Sequence, residues 1–149
     1  MDITISNRQR SVRFDLRWLR SVAAAALERC AGLSGDGRFA LCELDEVEVA
    51  IVSDAAIAKV HVDFMGIAGA TDVITFEHGE IVVSAQTALA CAAEHGHSVE
   101  EELALYIIHG LLHLNGYDDM APVDRRKMHT VQNRVWRLLL SLIKRRELP

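Results

Sequence analysis

Apolar and polar positions change period several times along these 149 residues, and each change marks an element. "DITIS" alternates in strand fashion. "FDLRWLRSVAAAALERCAGL" follows, with Leu16, Leu19, Val22, Ala23 and Leu27 at helical spacing, and it ends in the turn residues "SGDG". "EVEVAIVS" alternates acid and valine, as a half-buried strand does. "DAAIAKVHVDFMG" predicts a helix, with Asp54 as N-cap and Gly66 as its stop. "TDVITFE" and "GEIVVS" are two β-branched runs separated by "HG", placed to pair or to run as neighbours.

The second half is helical. "SAQTALACAAEHG" is alanine-rich, with Ser84 as N-cap. "SVEEELALYIIHGLLHLNG" opens on a capping box, Ser98 with Glu101 three residues on. It is apolar around most of its circumference, which predicts a central buried helix. Asn115–Gly116 ends it, because glycine tolerates the left-handed turn at a helix C-terminus. A last helix begins near Pro122, a favourable first-turn residue, and runs to about Arg146. The order β-α-β-α-β-β-α-α-α predicts an α+β fold: a small mixed four-stranded sheet covered by about five helices. With no repeat and no linker, residues 1–149 are expected to form one domain.

Composition adds three points. No apolar run reaches the ~20 residues of a membrane span; the densest, "VWRLLLSLI", is short and broken by Arg137. The N-terminus has no signal-peptide core, so no membrane partner and a cytoplasmic location are expected. Cys30, Cys42 and Cys91 are odd in number and far apart, which argues against a disulfide framework and against a thiolate zinc site. Charge is segregated: residues 1–40 carry seven Arg against four acids, residues 41–119 one Lys against fifteen acids, and residues 120–149 eight Lys/Arg against two acids. Basic ends of this kind either face a polyanion or form solvated helix faces.

The acidic middle holds "HGLLHLNGYDD", His109 to Asp119. His109 and His113 are four apart on one helix, so their rings project from one face about a turn apart and can grip one metal ion. Two such rings on an otherwise apolar helix need partners, either a metal or ordinary hydrogen bonds. Gly116 stops the helix, and Asp119, three residues further, can fold back as third ligand. Asp118 competes for that place, or orients a histidine ring through its free N–H. Two histidines and one carboxylate leave a fourth position for water, the pattern of a catalytic zinc site. Thr71 and Asp72 either turn the chain into a strand or line an edge strand beside the cleft.

"HGLLHLNGYDD" resembles H-G-x-L-H-L-x-G-Y-D-H, the signature of the YbeY family of metal-dependent endoribonucleases. "TDVITFEHGEIVVS" (Thr71 to Ser84) is similar to that family's T-D-V-L-S-F … G-D-I-V-I-S segments, and Met128 and Gln132 fall where it places Met and Gln. The resemblance spans roughly residues 45–135. It implies a single-strand-specific endoribonuclease acting in ribosomal RNA maturation, at the small-subunit 3′ end, and in ribosome quality control. RNA and the ribosome are the implied partners, rather than DNA. One zinc ion would be held by His109, His113 and Asp119, with Asp119 in place of the family's third histidine. The catalytic base is not identified; Asp118 is the candidate.

Two other positions bear on that reading. The helix with two histidines, a glycine turn and a third ligand also resembles the metzincin proteases, in which a glutamate follows the first histidine as base. Gly110 stands there, which argues against a zinc peptidase. Phe64 and Met65 occupy the place of the family's Tyr-Arg pair, and Ala68, Gly69 and Ala70 that of its Asp-Lys-Pro. The phosphate-holding arginine is therefore absent, which admits a catalytically weakened RNA- or ribosome-binding protein as the alternative. RNA contact would then fall to Arg8, Arg10 and Arg13 and to Arg125, Arg126, Lys127 and Arg134.

Overall fold

The computed structural model describes residues 1–144. Strands β1 (Asp2–Asn7), β2 (Glu46–Val52), β3 (Val73–Phe76) and β4 (Glu80–Ser84) form one mixed sheet in the order β1-β2-β4-β3. β1 and β4 run parallel to β2, while β3 is antiparallel to β4 and forms an edge. The two runs flanking "HG" are thus a hairpin. The helices are α1 (Leu16–Ala31), α2 (Asp54–Met65), α3 (Ala85–His95), α4 (Val99–Leu114) and α5 (Pro122–Lys144). This is the expected α+β arrangement. The expected end of α5 at Arg146 lies outside the described residues.

Period-two alternation divides the sheet into two apolar faces. Val47, Val49 and Ile51 join Ile5, Ile81 and Val83 in the main core, against α1, α4 and α5. Ala50, Val52, Ile74 and Val82 point the other way and pack on Ile57 of α2. α4 lies across the main face, with Leu103, Ile107, Ile108, Leu111 and Leu112 fully buried. Truncating one such side chain to alanine costs about 2–5 kcal/mol, so α4 is a rigid carrier for whatever it presents.

Helix ends mostly follow the sequence signals. Ser84 accepts the Thr87 N–H, Ser98 and Glu101 form the full capping box, and Gly66 closes α2 at φ +68°. Asp54 is a correction: Ser53 is the N-cap, its Oγ accepting the Ala56 N–H at 3.2 Å. Asp54 instead begins α2 and accepts hydrogen bonds from the Ser84 and Thr87 hydroxyls at the start of α3. A 3-10 turn at Ala40–Glu43, unmarked by periodicity, follows the "SGDG" loop. Asn115 organises that region. Its side chain, fully buried, donates to the carbonyls of Cys30 (3.0 Å) and Leu33 (2.7 Å) and accepts the Leu41 N–H (3.0 Å).

Candidate metal centre

His109 and His113 leave the otherwise buried α4 on the side facing β3 and the N-terminal half of α5. Their rings stand 4.7 Å apart at 81°. Each Nδ1 is already engaged. His109 Nδ1 lies 2.9 Å from Gln132 Oε1 on α5, and His113 Nδ1 lies 2.9 Å from the Tyr117 carbonyl. An oxygen acceptor at Nδ1 puts the proton there and leaves Nε2 bare, the tautomer a metal ligand needs. Burial, with His113 alongside, holds the His109 imidazole below its ordinary value and outweighs the opposing contact with Gln132. His109 is therefore kept neutral.

Both Nε2 atoms converge on Asp119. Its Oδ2 is 3.5 Å from His109 Nε2 and 3.5 Å from His113 Nε2. Ligands about 2.1 Å from a tetrahedral ion lie about 3.4 Å from one another, so both contacts to Asp119 already have that spacing, and all three ligand atoms lie within 4.8 Å of one another. The turn that returns Asp119 runs through Gly116, at φ +95°. Gly116 N–H bonds to the His113 carbonyl and Tyr117 N–H to the Leu112 carbonyl. A side chain on Gly116 would collide with Asp36. Asp118 lies in the same cleft wall, exposed, with Oδ1 accepting the Met120 N–H at 3.0 Å. The Nδ1 atoms of the two histidines are held by Gln132 and the Tyr117 carbonyl, and Asp118 has no hydrogen bond to either ring.

The cluster opens into a cleft of about 550 Å³, walled on the far side by Thr71 to Thr75, which lead into and begin the edge strand, and by His61 and Met65 of α2. Asp72 serves as a turn, accepting the Val73 N–H at 2.8 Å, and lines the cleft as well. Among the described lining residues there is no Lys or Arg, while Asp72, Glu77, Asp118 and Asp119 are acidic. Arg125 is fixed beside the cluster, its Nε donating to the Asp119 carbonyl at 3.2 Å. Lys127 sits 5.9 Å over the Tyr117 ring. Arg126 and Arg134 are exposed along α5, and Arg8, Arg10 and Arg13 are exposed near β1, away from the cleft lining.

Gly110 points away from the cleft. A Cβ there would come within 2.8 Å of the Ile81 side chain on β4. A glutamate would be driven into the sheet, so this helix cannot supply the base that a metzincin places after its first histidine. The zincin likeness reduces to a histidine-bearing helix that ends at a glycine turn.

Fold and cleft together define an α+β protein with a two-histidine, one-carboxylate cluster on a buried helix, the donor set of a metal-dependent hydrolase. The family model described as endoribonuclease YbeY matches residues 4–139, and the chain belongs to that family. A Symbiobacterium thermophilum relative named endoribonuclease YbeY is 34% identical over 148 residues, covering 86% of this chain and 90% of the relative. One from Protochlamydia amoebophila, with the same name, is 34% identical over 133 residues and covers 82% of each chain. A solution structure from Thermotoga maritima superposes with a TM-score of 0.64 at 25% identity, covering 97% of this chain and 93% of that one. No helix among the described residues is long and apolar enough to cross a membrane.

Proposed function

We propose that this chain is a metal-dependent endoribonuclease that cuts single-stranded RNA at the His109–His113–Asp119 cleft. The observation that carries the reading is the pair of bare Nε2 atoms, each 3.5 Å from one Asp119 oxygen. We read residues 1–149 as one catalytic domain, supported by a main core that joins β1, β2 and β4 to α1, α3, α4 and α5, with α2 packed on the other face of the same sheet. The three side chains would hold one zinc ion, whose open position supplies Lewis acidity toward a phosphoryl oxygen and an acidified water. Gln132 and the Tyr117 carbonyl keep both rings aimed. Asp118 has one carboxylate oxygen not used by Met120 and is the proton acceptor in this reading. Arg125 and Lys127, at the start of α5, meet the RNA backbone at the cleft rim. Family membership supports a place in ribosomal RNA processing, and we extend it to ribosome quality control, on the ribosome in the cytoplasm.

The first test is zinc content at equilibrium with free zinc, read beside His113→Ala. The wild type holds an ion that the variant has lost. Equal content in the two would remove the basis of the reading.

A second reading has one observation in its favour. Met65 lies in the cleft wall, where no Lys or Arg accompanies it. The protein would then be a catalytically weakened RNA-binding member of the family. Under this reading Met65→Arg raises cleavage of single-stranded RNA at least tenfold, while under the first it changes little. A zinc peptidase is disfavoured by the contact of Gly110 with Ile81.

A further inference from the structure

We propose that His95, His97 and Glu102 form a second divalent-cation site, of the zinc, cobalt and nickel class, at the corner between α3 and α4. The three ligand-type atoms lie within 4.8 Å of one another. A single oxygen, Glu102 Oε1, receives both imidazoles: His95 Nδ1 at 3.2 Å and His97 Nε2 at 2.5 Å. Glu102 is 4% exposed, whereas the His95 side chain is 57% exposed. The carboxylate is thus held in the interior, and one histidine opens the cluster to ions from solvent.

The chemistry favours a cation. An imidazole nitrogen facing a carboxylate oxygen carries either its own proton or a positive ion between the two atoms, so each of the two close contacts is filled by one or the other. One divalent ion satisfies both contacts and neutralises the buried charge, and two nitrogens with one oxygen suit borderline metals better than calcium or magnesium. The His95 contact already has the separation of two ligands on one ion. The His97 contact is shorter than the roughly 3.4 Å such ligands keep, so loading draws the His97 ring back and releases protons to solvent.

This site is distinct from the cleft. Glu102 and His109 are two turns apart on α4, roughly 10 Å along its axis. Paired catalytic metals sit about 3.5–4 Å apart. An ion at the second site therefore clamps the α3–α4 corner instead of joining the reaction. The Tyr106 hydroxyl, one turn on from Glu102, is buried beside Glu102 and Cys91. Tyr106 shares a cavity wall with His95, Glu102, His109 and Gln132. That cavity lies between the two sites.

The test is equilibrium dialysis of untagged, chelator-stripped protein against zinc, with metal read by atomic emission, for wild type, His113→Ala, His97→Gln and His95→Ala. The proposal expects two ions per wild-type chain, one in His113→Ala and one in His97→Gln. His95→Ala, a surface change that leaves the fold alone, weakens the second ion by more than the roughly tenfold that even an outer contact commands. Cobalt absorption of His113→Ala should show one tetrahedral site. One ion in wild type and none in His113→Ala would overturn the second site and leave the cleft site standing. Full zinc affinity in both His95→Ala and His97→Gln would also overturn it.

Discussion

Single residues set the chemistry, and their legibility in sequence depended on distance along the chain. His109, His113 and Asp119 lie within one short run, so spacing alone suggested their convergence. Gln132 comes from another helix, 23 residues beyond His109, and was visible only through the family pattern. The acceptor for His113 is a backbone carbonyl, at Tyr117, which no side-chain pattern can mark. The cluster around Glu102 went unread because its residues look like an ordinary helix junction. Burial would raise the Glu102 carboxyl, but hydrogen bonds from His97 and His95 outweigh it and hold the group below the ordinary value of 4.5. The folded chain therefore takes up this proton less readily than the unfolded chain does. The stability Glu102 contributes is complete above pH 4.5 and is lost as pH falls through its depressed folded value. In chelator at neutral pH, Glu102→Gln should cost about 1.5–3 kcal/mol. Urea unfolding should show that gap closing on acidification, and a gap independent of pH would contradict this account.

At the scale of elements, the local signals were sound where the chain satisfies itself locally. The capping box at Ser98, the Ser84 cap and the Gly66 stop are three-residue affairs and are visible as such. Asp54 was misread because its hydroxyl partners lie about 30 residues away on α3. Asn115 was read as half of a helix stop, yet it also ties α4 to the end of α1 and to the 3-10 turn. That turn has no periodic pattern because its backbone is held by a side chain from elsewhere. Asn115→Ala should therefore cost about 3 kcal/mol, since buried backbone groups at Leu41 and Leu33 lose their partner. A loss under 1 kcal/mol in chemical unfolding would show that those segments are held by something else.

Across the whole molecule, the segregation of charge acquires a geometry. The acidic middle of the sequence supplies the cleft walls, and the basic C-terminal segment folds back so that Arg125 reaches the Asp119 carbonyl. The N-terminal arginines stay away from the cleft lining. Sequence alone offers both basic ends for RNA contact, because the path of α5 across α4 is decided by core packing at Met128, Val131 and Val135. If Arg125 and Lys127 each neutralise a phosphate, replacing both by alanine lowers the salt slope of single-stranded RNA binding by about 1.4. An unchanged slope would move the RNA path elsewhere.

The central claim is that RNA is cut through the metal held by His109, His113 and Asp119. Its most direct test is cleavage of a single-stranded RNA oligomer by wild type and His113→Ala, each stripped by chelator and then reloaded with zinc. The account predicts cutting by reloaded wild type, none by the stripped protein, and none by His113→Ala in either state. Cutting at the wild-type rate by stripped protein or by His113→Ala would contradict it.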